Sequence, residues 1–421
     1  MLDIKLIREN PEAAQKGIAL KGSNIDIGEI IGIDTSRRAN LTRADEIKKE
    51  RNDLSREIGR RLKANQDAAG LMERVRVIGE EIKSLDSRIS AAETALHERL
   101  LMLPNLPHES VPHGRDESDN VVIAERGTKP AFDFEPKPHW EIAERLGIID
   151  FTRGTKLTGS NFMVYAGAGA RLQRALINFM LDMHTSQHGF REIYPPFLVN
   201  RETLTGTGQL PKFEDDAYRI ESDDLFLIPT AEVPVTNLHR GEIIPGQELP
   251  IYYAAFTPCF RREAGSYGKE NRGITRIHQF DKVEMVKIVR PEDSYAELET
   301  LRSAAEDVLR ALELHYRVVE ICAGDLGFSN AKQYDLEVWA PGMGRYLEVS
   351  SCSNTEDFQA RRAGIRFRRT PASKPEFAHT LNGSGLALPR TMIAVLETCQ
   401  QADGTVRIPG VLRTIFGRDI L

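Results

Sequence analysis

The sequence predicts an α+β protein in which a long antiparallel helical hairpin, a coiled coil, precedes an antiparallel-sheet domain, and three observations carry that prediction. Leu71, Val75, Ile78, Ile82, Leu85, Ile89, Ala92 and Leu96 are spaced alternately by four and three, a strict heptad seam. In the second half, strand-like runs follow one another without regular intervening helices, which favours antiparallel pairing over a doubly wound sheet. Neither GxGxxG nor GxxxxGK[ST] occurs, so a nucleotide bound by this half must have its phosphates held by side chains.

Taken in order, a short opening segment (2–33) leads into a first helical run with Leu41, Ala44, Ile47, Leu54, Ile58 and Leu62 on one side. Residues 65–70 form a natural turn, and the heptad run follows, so the two helices fold back on each other. At 1.5 Å per residue each arm is on the order of 40 Å long, too long and narrow for the interior of a globule. The first arm carries Arg37, Arg38, Arg43, Lys48, Lys49, Arg51, Arg56, Arg60, Arg61 and Lys63 against fewer acids. A solvated coiled-coil face is the commoner reason for such charges, but a basic excess on one arm also suits a polyanion lying along it. The motif LPNLPHESVPHG, with three prolines and a glycine, ends the helix, and the charged segment 115–126 follows. The expected division is 1–103 for the helical domain, 104–126 for a linker and 127–421 for the mixed α and β domain.

In that second domain 170–188 reads as an amphipathic helix, 190–194 as a strand ending at Pro195-Pro196, and 226–235 as a strand or turn. The spacing of Leu298, Leu301, Ala305, Val308 and Leu312 predicts a helix over 296–312. Residues 316–321, 334–339 and 346–351 alternate like strands, and the turn-like LNGSGLALPR (381–390) leads into a final helix.

Length and composition fit an ordinary soluble protein: 421 residues, 41% hydrophobic and 28% charged, with no apolar run of membrane-spanning length and no apolar signal core at the start. The expected location is cytoplasmic. Four scattered cysteines, with no His at ligand spacing, support neither a disulfide framework nor a zinc site. A net charge of −6 restricts any nucleic-acid contact to a local basic patch.

The chemistry concentrates in FRREAGSYGKENRGITRIHQFDKVEM, 260–285. Residues 252–263 and 275–289 read as two strands, separated by a loop with Gly265, Ser266, Gly268, Lys269, Asn271 and Gly273. Strand alternation puts Arg261 and Glu263 on one face, and Arg276, Phe280 and Glu284 on one face of the partner. Charged strand residues are usually surface pairs. Glu284, however, sits in the apolar run Val283, Met285, Val286, where a carboxylate needs a buried partner or a shifted pKa.

With these motifs in hand, the chain resembles the bacterial-type seryl-tRNA synthetases, class II aminoacyl-tRNA synthetases, over nearly its whole length. The helical hairpin, NLPHESVPHG, the TAE turn, FRREAGSYGKENRG, HQFDKVEM, EVSSCSN and NGSGLALPRT stand in the family's order and approximate spacing. The helix from Ala170 and the strand ending at Pro196 resemble the first class II motif, the dimer interface; 260–285 resembles the second, and 383–390 with the helix that follows the third. Ala387, where a third glycine is frequent, and Pro389, directly before the arginine, depart from the pattern.

The resemblance implies a serine–tRNA ligase, AMP-forming, that activates L-serine with ATP and Mg²⁺ and transfers it to tRNA(Ser), and also to tRNA(Sec), as a homodimer with no membrane association. It implies that Arg261 and Arg390 are catalytic and that Thr230, Glu232, Arg261, Glu284 and Ser384 bind serine. It further implies that Arg261, Arg262, Glu263, Arg276, Phe280, Glu348, Val349, Ser350, Ser351 and Arg390 bind ATP, with Glu348 and Ser351 on the metal. Glu348 and Ser351 are three apart, so a bulge or strand end is needed to bring them together. Thr230 or Ser384 taken alone is more commonly turn chemistry, as Asn382 is expected to be; Arg361, Arg362, Arg366, Arg368 and Arg369 read as a solvated face ahead of the alternative, an RNA contact. Two other readings are a paralogue that charges a carrier protein, which has no use for a tRNA-gripping arm, and a catalytically silent RNA-binding scaffold, which has no reason to keep Arg261, Glu263, Glu348 and Arg390 together.

Overall fold

A heptad seam on one segment and a looser apolar stripe on the segment before it leave the chain little choice but to pair them, and the computed structural model, which describes residues 1–264 and 272–421, shows that pairing. The loop expectation for Gly265, Ser266, Gly268, Lys269 and Asn271 lies outside the described residues. The chain divides into two compact units. One comprises Leu2–Ala19 and Ser23–Pro104; the other comprises Asn105–Leu421 with Met1 and Leu20–Gly22.

In the first unit α1 (Ile4–Glu9) and α2 (Pro11–Leu20) precede α3 (Ile27–Lys63) and α4 (Ala69–Met102). The opening segment is therefore helical, and the first arm begins at Ile27, ahead of the looser periodicity; at 37 residues it is about 55 Å long. Ala44 and Ile47 pack against Ile78, Ile82, Leu85 and Ile89 along the seam. Part of the basic excess has a structural role. Arg8, Arg37 and Arg38 surround the buried Asp34 at 3.1, 3.1 and 3.0 Å, and Arg43 pairs with Glu81 at 2.8 Å across the hairpin.

The second unit is built on an eight-stranded sheet: β1 (Val121–Arg126), β2 (Arg191–Glu192), β3 (Ile251–Phe260), β4 (Gln279–Val289), β5 (Tyr316–Glu320), β6 (Lys332–Ala340), β7 (Arg345–Asn354) and β8 (His379–Ala387). Their spatial order is β1-β5-β6-β7-β8-β4-β3-β2, antiparallel throughout except for the parallel edge pair β2–β3. Part of the segment expected as linker, 121–126, is thus built into the sheet as β1. The LNGSGLA stretch is strand β8 and not a turn, because its central position between β7 and β4 satisfies its backbone on both sides.

Alternation then separates two faces. Val283 and Met285 of β4, Cys352 of β7 and Leu381 of β8 enter one core. They meet α6 (Ala168–Ser186), α8 (Ser294–Ala311) and α10 (Leu388–Thr398), through residues such as Leu176, Leu301 and Ile393. α5 (His139–Leu146), which precedes α6 in the chain, adds Ile142 and Ala143 to the same core, whereas α7 (Glu232–Thr236) and α9 (Phe358–Ala363) pack on the opposite face against Val286 and Ile288. The arginine run is not simply solvated: Arg362 is half-buried, its Nη1 donating to the carbonyls of Thr205 and Leu210 at 3.3 and 3.2 Å and its guanidinium lying over Phe358. Burial lowers its pKa to about 10.

Among the described residues no helix is long and apolar enough to cross a membrane. Ile47 is fully buried in the hairpin seam. Ile47→Ala is expected to destabilise the arm by about 2–4 kcal/mol, seen as a lower urea midpoint by circular dichroism.

Candidate active site

The face opposite the core carries a cleft of about 420 Å³, lined by Thr230, Glu232, Arg261, Glu263, Arg276, Phe280, Glu284, Glu348, Ser351, Ser384 and Arg390 among others. Residues from widely separated parts of the chain meet here because the three central strands β7, β8 and β4 present alternate side chains to the same side.

Two register slips aim those side chains. Leu336 faces Ser350 but Glu337 faces Glu348, so Val349 is an extra residue in β7. That bulge is what allows Glu348 and Ser351, three apart, to line one cleft. Likewise Val283 faces Leu386 while Glu284 faces Ser384, which makes Gly385 the extra residue of β8. A Cβ at Gly385 would lie 2.5 Å from Nε2 of His184, a ring whose pKa burial lowers to about 4, so only glycine lets the bulge form. Ser384 and Glu284 are thereby direct cross-strand neighbours.

The signature stretch departs from the strand reading. β3 ends at Phe260 and β4 begins at Gln279, so Arg261, Glu263 and Arg276 lie on the connecting segments and not on strand faces. Their convergence has other causes. The Arg261 amide donates to the His278 carbonyl at 2.9 Å, and its guanidinium lies 5.1 Å from the Phe280 ring centroid. Glu263 adopts φ +55°, and its carboxylate accepts from Arg276 at 2.8 Å. Arg390 occupies the first turn of α10, which opens on Leu388-Pro389 as a helix start permits, and donates to the carbonyl and carboxylate of Glu348 at 2.8 and 3.1 Å.

Deeper in the cleft Glu284 is 1% exposed. Lys282, two residues earlier on the same face of β4, pairs with its carboxylate, and Asn382 of β8 donates to it at 3.3 Å. Thr230 and Glu232 sit at the entry to α7 and not on a strand; the Thr230 hydroxyl accepts the Glu232 amide at 3.2 Å. Gln359, 1% exposed on α9, donates to the Glu232 carboxylate at 2.7 Å. Burial, and then the nearby charge of Glu284, push the Glu232 carboxyl up to about 7 in spite of that hydrogen bond.

Three of the residues expected at ATP do not bring their side chains to the cleft. Val349 is packed into the core, Ser350 is buried with its hydroxyl donating to the Ser384 carbonyl at 2.6 Å, and Arg262 is exposed outside the lining. Lys282, Asn330 and Asn382 also line the cleft; no motif singles out the first two, and Asn382 lies in a strand and not in the turn expected of it. Lys282 was recoverable from its i−2 spacing to Glu284, whereas the place of Asn382 depends on a strand that its glycines disguise. Asp335 of β6 stands opposite Ser351 in the register without lining the cleft; burial and the charge of Glu348 hold its carboxyl well above the ordinary range.

Among the described residues no cluster of three or more His, Cys, Asp or Glu side chains is arranged as a metal cage. Glu348 and Ser351 nevertheless offer two hard oxygen donors to one cleft, the set expected for a Mg²⁺ that takes its remaining ligands from phosphates and water.

Comparison with known proteins matches residues 1–107 to the seryl-tRNA synthetase N-terminal domain and 212–399 to the tRNA synthetase class II core domain (G, H, P, S and T). The chain is 56% identical over 417 residues to the serine–tRNA ligase of Geobacter sulfurreducens, covering 99% of each. It is 55% identical over 417 residues to that of Nitratidesulfovibrio vulgaris, covering 99% of this chain and 98% of the relative. Among solved structures it is similar to the seryl-tRNA synthetase from Pyrococcus horikoshii complexed with ATP, with a TM-score of 0.96, 40% identity and coverage of 100% of this chain and 99% of that one.

The Glu232 carboxyl ionises near 4.5 when unfolded and near 7 when folded, so the folded state binds the extra proton and stability falls as pH rises through that window. Glu232→Gln is expected to match the parent in urea denaturation near pH 4 and to exceed it by about 1–3 kcal/mol at pH 8.

Proposed function

The chain belongs to the seryl-tRNA synthetase family, and from that premise we propose that its cleft joins the carboxylate of L-serine to the α-phosphate of ATP and then passes the seryl group to the terminal adenosine of tRNA(Ser). The observation that carries this reading is the meeting of Arg261, Arg276 and Arg390 with the buried acid Glu284 and the half-buried Glu232 in one cleft. A triphosphate needs charge neutralisation, and an amino acid needs a carboxylate for its ammonium and a partner for its side chain. The cleft holds both sets.

Arg261, next to both groups, orients the serine carboxylate towards the α-phosphorus and spreads the charge that develops on the phosphate oxygens. The new bond is carboxylate oxygen to α-phosphorus; the bond broken is that to the β-phosphate bridge, and pyrophosphate leaves. Phe280 and Arg390 stack on the adenine, Glu263 reads its amino group, and Arg276 receives the γ-phosphate, so nucleotide entry exchanges the Glu263–Arg276 pair for two contacts to ATP. Mg²⁺ held by Glu348 and Ser351 supplies further neutralisation of the phosphates when bound. Thr230 and Glu232 take the serine ammonium. Glu284 and Ser384 take the side-chain hydroxyl, which an alanine side chain lacks. A site built this way rejects the analogue lacking the hydroxyl by roughly 10⁴-fold or more.

In the second step the terminal adenosine attacks the seryl carbonyl and AMP leaves. The α3–α4 hairpin is read as the tRNA-gripping element of residues 1–103, engaging RNA by backbone shape and charge and not by anticodon sequence. The same reading extends to tRNA(Sec), to a homodimer and to a cytoplasmic location.

ATP–pyrophosphate exchange with each proteinogenic amino acid, followed by charging of purified tRNA(Ser), tests the reading. Exchange with serine and charging are expected. Exchange without charging points to a carrier protein as acceptor, and no exchange points to a scaffold. Glu284→Ala is expected to reduce serine-over-alanine preference by about 100-fold or more while leaving the KM for ATP within about twofold. Removing residues 43–88 is expected to spare exchange and abolish charging, and full charging by that variant would contradict the arm's role.

A further inference from the structure

The segment that returns from the signature loop, 272–276, carries Thr275 and Arg276 into the cleft, yet it belongs to no helix or strand that would fix it. It is fixed one residue at a time. Arg276 is paired with Glu263, the Thr275 carbonyl accepts from Arg390 Nε at 3.5 Å, and the Ile274 amide donates to Nε2 of His139 at 3.1 Å. Of the three, only the last partner lies outside the cleft, and both His139 and the group behind it are fully buried.

An amide N–H can donate only to a lone pair, so His139 Nε2 carries no proton towards Ile274 and the ring proton sits on Nδ1. Nδ1 lies 2.9 Å from Oε1 of Glu397, which accepts that proton's hydrogen bond and the backbone amide of His139 at 2.8 Å. The other oxygen, Oε2, accepts the amides of Gly342 and Met343 at 2.9 and 3.1 Å. The buried carboxylate is therefore fully satisfied and the tautomer and plane of the imidazole are determined. Glu397 lies seven residues after Arg390 on the same helix, α10, so the two side chains share one side of it about two turns apart. One rigid element thus holds the segment at two places, directly through Arg390 and indirectly through His139. Gly273 (φ +75°) completes the fit, since a Cβ there would fall 2.0 Å from His139 Nε2.

We propose that His139, oriented by Glu397, is a positioning residue for nucleotide binding: its Nε2 fixes the backbone at Ile274 and thereby places Thr275 and Arg276 for the phosphates of ATP. The role rests on the reading of the cleft as a nucleotide site. Serine does not depend on it, because Thr230, Glu232, Glu284 and Ser384 are held by α7, α9, β4 and β8.

The test uses the full chain and two substitutions that divide the imidazole's functions. His139→Gln keeps an amide oxygen near the position of Nε2, whereas His139→Asn keeps only a donor near that of Nδ1. ATP affinity is measured by calorimetry, the KM values for ATP and serine by pyrophosphate exchange, and thermal midpoints alongside. His139→Asn is expected to weaken ATP binding about tenfold, with the KM for serine within about twofold, and His139→Gln to stay within about threefold of the parent for both. If both variants bind ATP as the parent does, or if ATP and serine constants rise together in both in step with a loss of thermal stability, the proposal is overturned. Should His139 variants fail to fold, Gly273→Ala, which pushes into Nε2 with His139 intact, is expected to show the same ATP-selective loss; normal ATP affinity there overturns it. A parent that binds ATP but shows no serine-dependent exchange counts against the proposed function alone, and calorimetry still decides the role of His139.

Discussion

A carboxylate in the middle of a β-sheet and almost completely withdrawn from water costs several kcal/mol unless it is compensated, and Glu284 is in that position. Its compensation determines much of the cleft around it. Lys282 shares its strand face and supplies the opposite charge, Asn382 supplies a donor from the next strand, and Ser384 stands directly across. Because Glu284 is ion-paired, the second acid nearby, Glu232, meets both burial and a like charge and keeps its proton up to about pH 7. The cleft thus holds one acid already paired with a cation and a second whose ionisation a nearby cation favours, an arrangement suited to an amino acid's ammonium group beside its hydroxyl.

The nucleotide end follows a different logic. There the acids and bases are paired with each other, Arg276 with Glu263 and Arg390 with Glu348. Each pair is only partly withdrawn from water, so exchanging it for contacts to a phosphate or an adenine costs little. Backbone irregularity does the aiming: the extra Val349 in β7 and the extra Gly385 in β8 break strict alternation where two neighbouring residues must face the same way. On the core side the extra residues face inwards, Val349 into the cluster and Gly385 against His184, where α6, α8 and α10 pack on the sheet.

What was legible in the sequence was what periodicity or a motif encodes. The heptad seam located the hairpin, and the spacing of Glu348 and Ser351 required a bulge that the register contains. Glu284 stood out because a charge within Val283, Met285 and Val286 violates the pattern of its neighbours. What escaped depended on long-range partners. β8 was hidden because a strand that reads LNGSGLA is stabilised by its two neighbours and not by its own propensities. Arg261, Glu263 and Arg276 were read as strand residues because nothing local marks the end of pairing at Phe260; the pairing stops where His278 and Arg261 exchange contacts outside the ladder. The half-burial of Arg362, and the His139–Glu397 pair that joins residues 258 apart, follow from packing alone.

In the proposed function one cleft on the sheet's open face takes both the nucleotide and the hydroxymethyl group of serine, and Glu284 meets the hydroxyl. A crystal structure of the protein with a non-hydrolysable seryl-adenylate analogue tests it most directly. The seryl hydroxyl is expected within hydrogen-bonding distance of Glu284 and Ser384, the ammonium at Glu232 and the adenine between Phe280 and Arg390. An analogue bound with its hydroxyl turned away from Glu284, or seated outside this cleft, would contradict it.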